Sequence, residues 1–80
     1  MIFDSSENKC IIKTLSILTK EESTYSDLFR ITKFSHITLQ NSLKILLEKK
    51  FIQREDSKYK ITDKGKNLFK KLEELIETLK

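Results

Sequence analysis

Eighty residues with a 38% apolar share, spread along the whole length, can bury one core and argue for a single domain over 1–80. One cysteine, Cys10, and one histidine, His36, allow no internal disulfide and no multi-ligand zinc site. With no phosphate-cradling glycine loop either, no catalytic constellation, metal or cofactor is expected. The net charge of +4 is uneven: residues 33–60 hold seven basic and three acidic side chains, a pattern expected of a chain that meets phosphate backbones and equally of a solvated lysine-rich surface, so charge alone does not decide.

In chain order, Asp4 and Glu7 have the spacing of a capping box, and Ile11, Ile12, Leu15 and Leu18 follow at helical steps, predicting a first helix over about Ser5 to Thr19. Cys10 on this helix reads as a small buried hydrophobe. The segment Lys20 to Ser23 is polar. Thr24 and Asp27 then start a short second helix that carries Leu28 and Ile31 and runs to about Thr32. Ser35 caps a third helix in which Leu39, Leu43, Leu46 and Leu47 form one apolar stripe, while Thr38, Gln40, Asn41 and Lys44 lie largely off it.

After Lys50 the period becomes alternating. Phe51 to Glu55 and Lys58 to Thr62 read as the two strands of a hairpin around Asp56-Ser57, with Arg54 opposite Tyr59 and Ile52 opposite an inward Ile61. Asp-Ser is a weaker tight-turn signal than Asn-Gly, which predicts the wider, four-residue loop. Gln53, Lys58 and Lys60 are then available on the outside. Thr62 caps a fourth helix with Asp63 in its first turn, and Leu68, Leu72, Leu75 and Leu79 recur at steps of four, three and four, widened by Phe69 and Ile76. No apolar run approaches the roughly 20 residues of a membrane span, and Met1 to Asn8 has no signal-like pattern, so a cytoplasmic protein without membrane contact is expected.

The expected fold is mainly α with a small β-hairpin, in the order α-α-α-β-β-α with an extended last helix: a winged helix-turn-helix. The stretch Ser35 to Thr62, SHITLQNSLKILLEKKFIQREDSKYKIT, resembles the recognition helix and wing of MarR-like and archaeal winged-helix DNA-binding proteins. The continuation ITDKGKNLFKKLEELI is similar to the usual start of that family's last helix, and from Thr24 the resemblance covers most of the chain. The lysine and isoleucine richness, single glycine and lack of proline also resemble small archaeal and viral proteins. One departure is visible: the family commonly places glycine just before the first wing strand, where this chain has Lys50. A lysine there must either adopt a left-handed backbone or end the helix differently.

An α-helix fits the major groove of B-DNA with the polar side chains of its N-terminal half against base edges. Thr38, Gln40, Asn41 and Lys44 meet that requirement as base-contacting residues. Asn and Gln can bond adenine bidentately, and Lys44 can reach a guanine edge or a phosphate. Lys33, Ser35 and His36 stand at the helix entrance, where a phosphate is favoured, and Arg54, Lys58 and Lys60 of the hairpin suit the neighbouring backbone or minor groove. The alternative for Gln40 and Asn41 is a solvated helix face and for the wing lysines a surface kept for solubility, while His36 in such a place is more often an exposed polar residue than a functional one. The body, 5–62, would then bind double-stranded DNA, and the helix 63–79 would join two copies into a homodimer through Leu68, Leu72, Leu75, Ile76 and Leu79. The bland alternative for Leu68 and Leu72 is packing on the chain's own first helix. The reading is of a sequence-preferring transcription regulator. Its alternatives are a protein-docking winged-helix module and a weakly specific architectural DNA binder.

Overall fold

The computed structural model describes residues 6–79, and side chains within 8–75 together with Glu77. The Asp4–Glu7 capping box falls outside the described residues. Among those described, the elements are α1 (Ser6–Lys20), β1 (Ser23–Thr24), α2 (Tyr25–Thr32), α3 (His36–Glu48), β2 (Ile52–Glu55), β3 (Lys58–Ile61) and α4 (Asp63–Leu79). The four helices, the hairpin and their order agree with the sequence-based expectation. In and after the polar segment Lys20 to Ser23, Lys20 completes α1, one residue beyond the expected end, and Ser23 and Thr24 add a third strand.

Local chemistry sets the boundaries. Thr24 Oγ1 accepts the Asp27 N–H at 3.2 Å while Asp27 Oδ2 accepts the Thr24 N–H at 3.3 Å, so each side chain satisfies a backbone donor that the start of α2 leaves orphaned. Lys33 ends α2 in the left-handed region at φ 61°, and two residues later Ser35 Oγ accepts the Thr38 N–H to start α3. α3 closes with the Lys50 N–H donating to Leu47 O and the Phe51 N–H to Leu46 O. That pair of bonds is a Schellman motif, and it forces Lys50 to φ 63°, so the lysine takes the left-handed backbone where the family resemblance implies glycine.

The hairpin register is Ile52 opposite Ile61 and Arg54 opposite Tyr59, as expected. Its loop is not the wide one. Glu55 pairs with Lys58, leaving only Asp56 and Ser57, both at positive φ (48° and 69°), and this doubly left-handed geometry matches the right-handed twist of the strands. β1 pairs antiparallel with the other edge of β3, Ser23 opposite Tyr59 and Thr24 opposite Lys58, giving the sheet order β1-β3-β2. The half of β3 nearest the turn is therefore tied to the body beside the start of α2.

Cys10, Leu15 and Leu18 of α1, Leu28 of α2, Leu39, Leu43 and Leu46 of α3, and Ile52 and Tyr59 of the hairpin form the buried core. Burying a large aliphatic side chain of this kind stabilises by about 1.5 to 3 kcal/mol. Leu47, expected on the same stripe, is 36% exposed, because its position on α3 turns it toward the hairpin and away from α1; Ile31, expected inside α2's apolar face, is also exposed. Leu68, Phe69 and Leu72 are half-buried against the core. Two of the side chains expected at a dimer seam thus already lean on their own subunit.

Candidate nucleic-acid interface

With Leu39, Leu43 and Leu46 facing the core, the opposite side of α3 is left to solvent, and Gln40, Asn41 and Lys44 are exposed there. Thr38 is half-buried, and its Oγ1 accepts the Ser35 hydroxyl at 3.0 Å, so this residue completes the helix cap as well as bordering the polar face. Ile37, which carries no role in the expectations above, is 72% exposed on the first turn. Its signal was legible, since it stands four residues before Asn41 and seven before Lys44, on one helical stripe.

An open groove of about 450 Å³ runs between α3 and the hairpin, lined by Gln40, Lys44 and Glu48 on one side and Arg54 and Tyr59 on the other, with Leu43 and Leu47 at its floor. Arg54 lies on the same hairpin face as Ile52 and Tyr59, and its guanidinium carbon is 5.8 Å from the Tyr59 ring centre. The structure thus brings Gln40, Lys44 and Arg54 to one groove. Lys58, exposed beside the turn, is a cation at the tip of the wing on the hairpin face opposite Arg54, and it does not line that groove.

Lys60 is separated from that set. Its Nζ pairs with Glu55 at 3.1 Å and Glu22 at 3.3 Å, and it lines a hollow on the other side of the hairpin with Glu22, Ile61 and Lys66. Those two carboxylates, Glu55 foremost, hold the ammonium above the ordinary lysine pKa. Lys60 therefore binds the wing to the segment before β1, and sequence spacing gave no sign of either partner.

At the entrance of α3, His36 is not a loose polar side chain. Its ring stacks on Phe29 at 3.9 Å between centroids and 6° between planes, and Nδ1 lies 2.9 Å from the Tyr25 hydroxyl. Burial, then the neighbouring Tyr59 phenol and Cys10 thiol, push the Tyr25 phenol up from its ordinary value. The stack joins α2 to the first residue of α3, and Tyr25 lines the groove as well. Lys33 is exposed one step before this stack. Among the described residues no cluster of three His, Cys, Asp or Glu side chains could hold a metal, and no helix is long and apolar enough to cross a membrane.

The α2-turn-α3 unit, the hairpin beside it and the following α4 are the parts of one known architecture, and the model of the family described as winged helix-turn-helix matches residues 6–80. The chain belongs to the winged helix-turn-helix family. Winged helix-turn-helix domains are DNA-binding domains and typically not enzymes, so α3 takes the place of the recognition helix and β2-β3 that of the wing. Comparison of this winged helix-turn-helix chain with curated proteins and with solved structures finds no match.

Proposed function

We propose that the chain binds double-stranded DNA with sequence preference and acts as an intracellular transcription regulator, with α3 in the major groove and the wing on the adjacent backbone or minor groove. The observation that carries this reading is the groove itself: Gln40 and Lys44 of α3 face Arg54 of the wing across open space, with Asn41 exposed beside them. Gln40 and Asn41 are assigned to adenine edges, Lys44 to guanine or phosphate, and Thr38 to a base contact through the part of its side chain that the cap leaves accessible. Lys33, Ser35 and His36 position the start of α3 on a phosphate, and Arg54 and Lys58 follow the strand beside it. Lys60, being paired twice, contributes to phosphate binding less than Lys58 does. Two copies joined through α4, with Leu75, Ile76 and Leu79 and the outer sides of Leu68 and Leu72 at the seam, would present two recognition helices to a roughly palindromic site.

A gel shift across a salt series tests the reading, first on random-sequence duplex and then on preferred sites. Asn41→Ala is expected to weaken preferred sites by about 1 to 3 kcal/mol, and Lys58→Ala to weaken all sequences and lower the log-log salt slope by about one. Equal loss on every sequence for Asn41→Ala identifies an architectural binder. No duplex affinity at low salt ends the proposal and is the result expected of a protein-docking module.

A further inference from the structure

We infer that Ile37 is a specificity-determining residue that reads thymine through its C5-methyl group, next to the adenine contacts assigned to Asn41 and Gln40. The inference rests on the DNA-binding reading above and adds a base preference to it.

One exposed aliphatic side chain is ordinary on any protein surface. The place of this one is not. At about 100° per residue, Asn41 and Lys44 fall within about 40° of Ile37 around α3, whereas Leu46 falls about 180° away. Ile37 therefore cannot turn to the core, and at 72% exposure it is the most exposed large hydrophobic side chain among the described residues. It is also the second residue of α3, in the turn that enters a major groove first.

Its neighbours narrow what can cover it. Asn41 and Lys44 lie on the same stripe and Lys33 is exposed just before the helix, so a covering surface that suits them is anionic and rich in hydrogen-bonding edges, yet offers one apolar spot. The major groove of an A·T pair has that character, because thymine presents a methyl group there beside acceptors and phosphates. An aliphatic branched at Cβ, stiff about χ1, covers such a methyl with little loss of rotamer freedom.

The test is a uridine scan. A duplex enriched from a random pool on the wild-type chain is resynthesised with each thymine in turn replaced by deoxyuridine, which deletes only the methyl, and affinity is read by fluorescence anisotropy. For wild type, one or two positions per half-site are expected to lose about fourfold, the equivalent of one buried methyl-sized group. For Ile37→Ser the same positions lose nothing further, while its thermal melt matches wild type because the site is solvent-facing. Salt-dependent binding that tolerates uridine everywhere, or a uridine penalty that persists in Ile37→Ser, overturns this inference alone. Absence of any duplex affinity at low salt overturns it together with the proposed function.

Discussion

Two residues at the junction between α3 and α4 carry opposite kinds of backbone demand. Lys50 sits at φ 63°, where its Cβ crowds the chain, so Lys50→Gly relieves the strain at the Schellman position without removing a backbone hydrogen bond. The relief exceeds the extra entropy that glycine loses on folding by about 0.5 to 1 kcal/mol, and a rise in Tm of about 2 to 8 °C is expected in a thermal melt. An unchanged or lower Tm would show that Lys50 is not strained. Gly65 is the reverse case. A Cβ there would overlap the Phe51 carbonyl oxygen and lie 2.7 Å from Ile61 Cγ1. That same oxygen accepts from the Thr62 N–H, and Thr62 Oγ1 accepts the Gly65 N–H, so α4 cannot lift away from Phe51 without breaking its own cap. Alanine gains about 1 kcal/mol of helix propensity over glycine, but overpacking against rigid backbone costs about 3 kcal/mol, and the clash decides the sign. Gly65→Ala is expected to lower the urea midpoint; a stabilised variant would mean that the close approach is absent.

At the scale of elements, the wing is held by its outer face as much as by its core side. Lys60 is bound by Glu55 and Glu22, and its raised pKa means that the folded chain holds that proton more tightly than the unfolded one. The stabilisation is complete below the ordinary lysine value of about 10.4 and is lost as pH rises through the higher folded value. Tyr25, raised chiefly by burial, acts in the same direction on the same alkaline limb. Urea unfolding across the alkaline range should therefore show wild type losing stability above about pH 10. The double variant Glu22→Gln, Glu55→Gln should lose less, keeping mainly the share of Tyr25. Equal slopes would show that the clamp contributes nothing. The hairpin and its register were legible because alternation around one polar turn admits few pairings. Loop length was not, since Asp56 and Ser57 both enter a backbone region that Asn and Gly usually mark. β1 has two residues and no pattern; it exists because β3 offers a second edge there. The helical faces of α3 were readable from spacing, which placed Gln40, Asn41 and Lys44 correctly outward. The stack of His36 on Phe29, the turning of Leu47 and the pairing of Lys60 depend on how elements meet, which periodicity does not encode.

At the scale of the whole molecule, the charge order along α4 bears on how two copies would pair. Lys64, Lys66, Lys70 and Lys71 occupy its first half and Glu73, Glu74 and Glu77 its second, with only Asp63 acidic in the first turn and no basic residue in the last. This order opposes the helix dipole, which favours anions at the start and cations at the end. An antiparallel partner helix turns it to advantage, since each basic half then lies along the other copy's acidic half. Leu75, 42% exposed just beyond the leucines that lean on the core, supplies an apolar contact at that crossing. Exposed ion pairs contribute about 0.2 to 1 kcal/mol each and are screened by salt, so the apolar contact must hold the pair and the charges must orient it. Sedimentation equilibrium at tens of micromolar in low salt is accordingly expected to give about twice the 9.5 kDa chain mass, with dissociation favoured as salt rises. Leu75→Glu should sediment as a single copy while its helical content and melting in dilute solution stay close to those of wild type, because the side chain is not part of the buried core. A wild-type chain that remains monomeric at these concentrations, or a Leu75→Glu variant that still pairs, removes α4 as the seam.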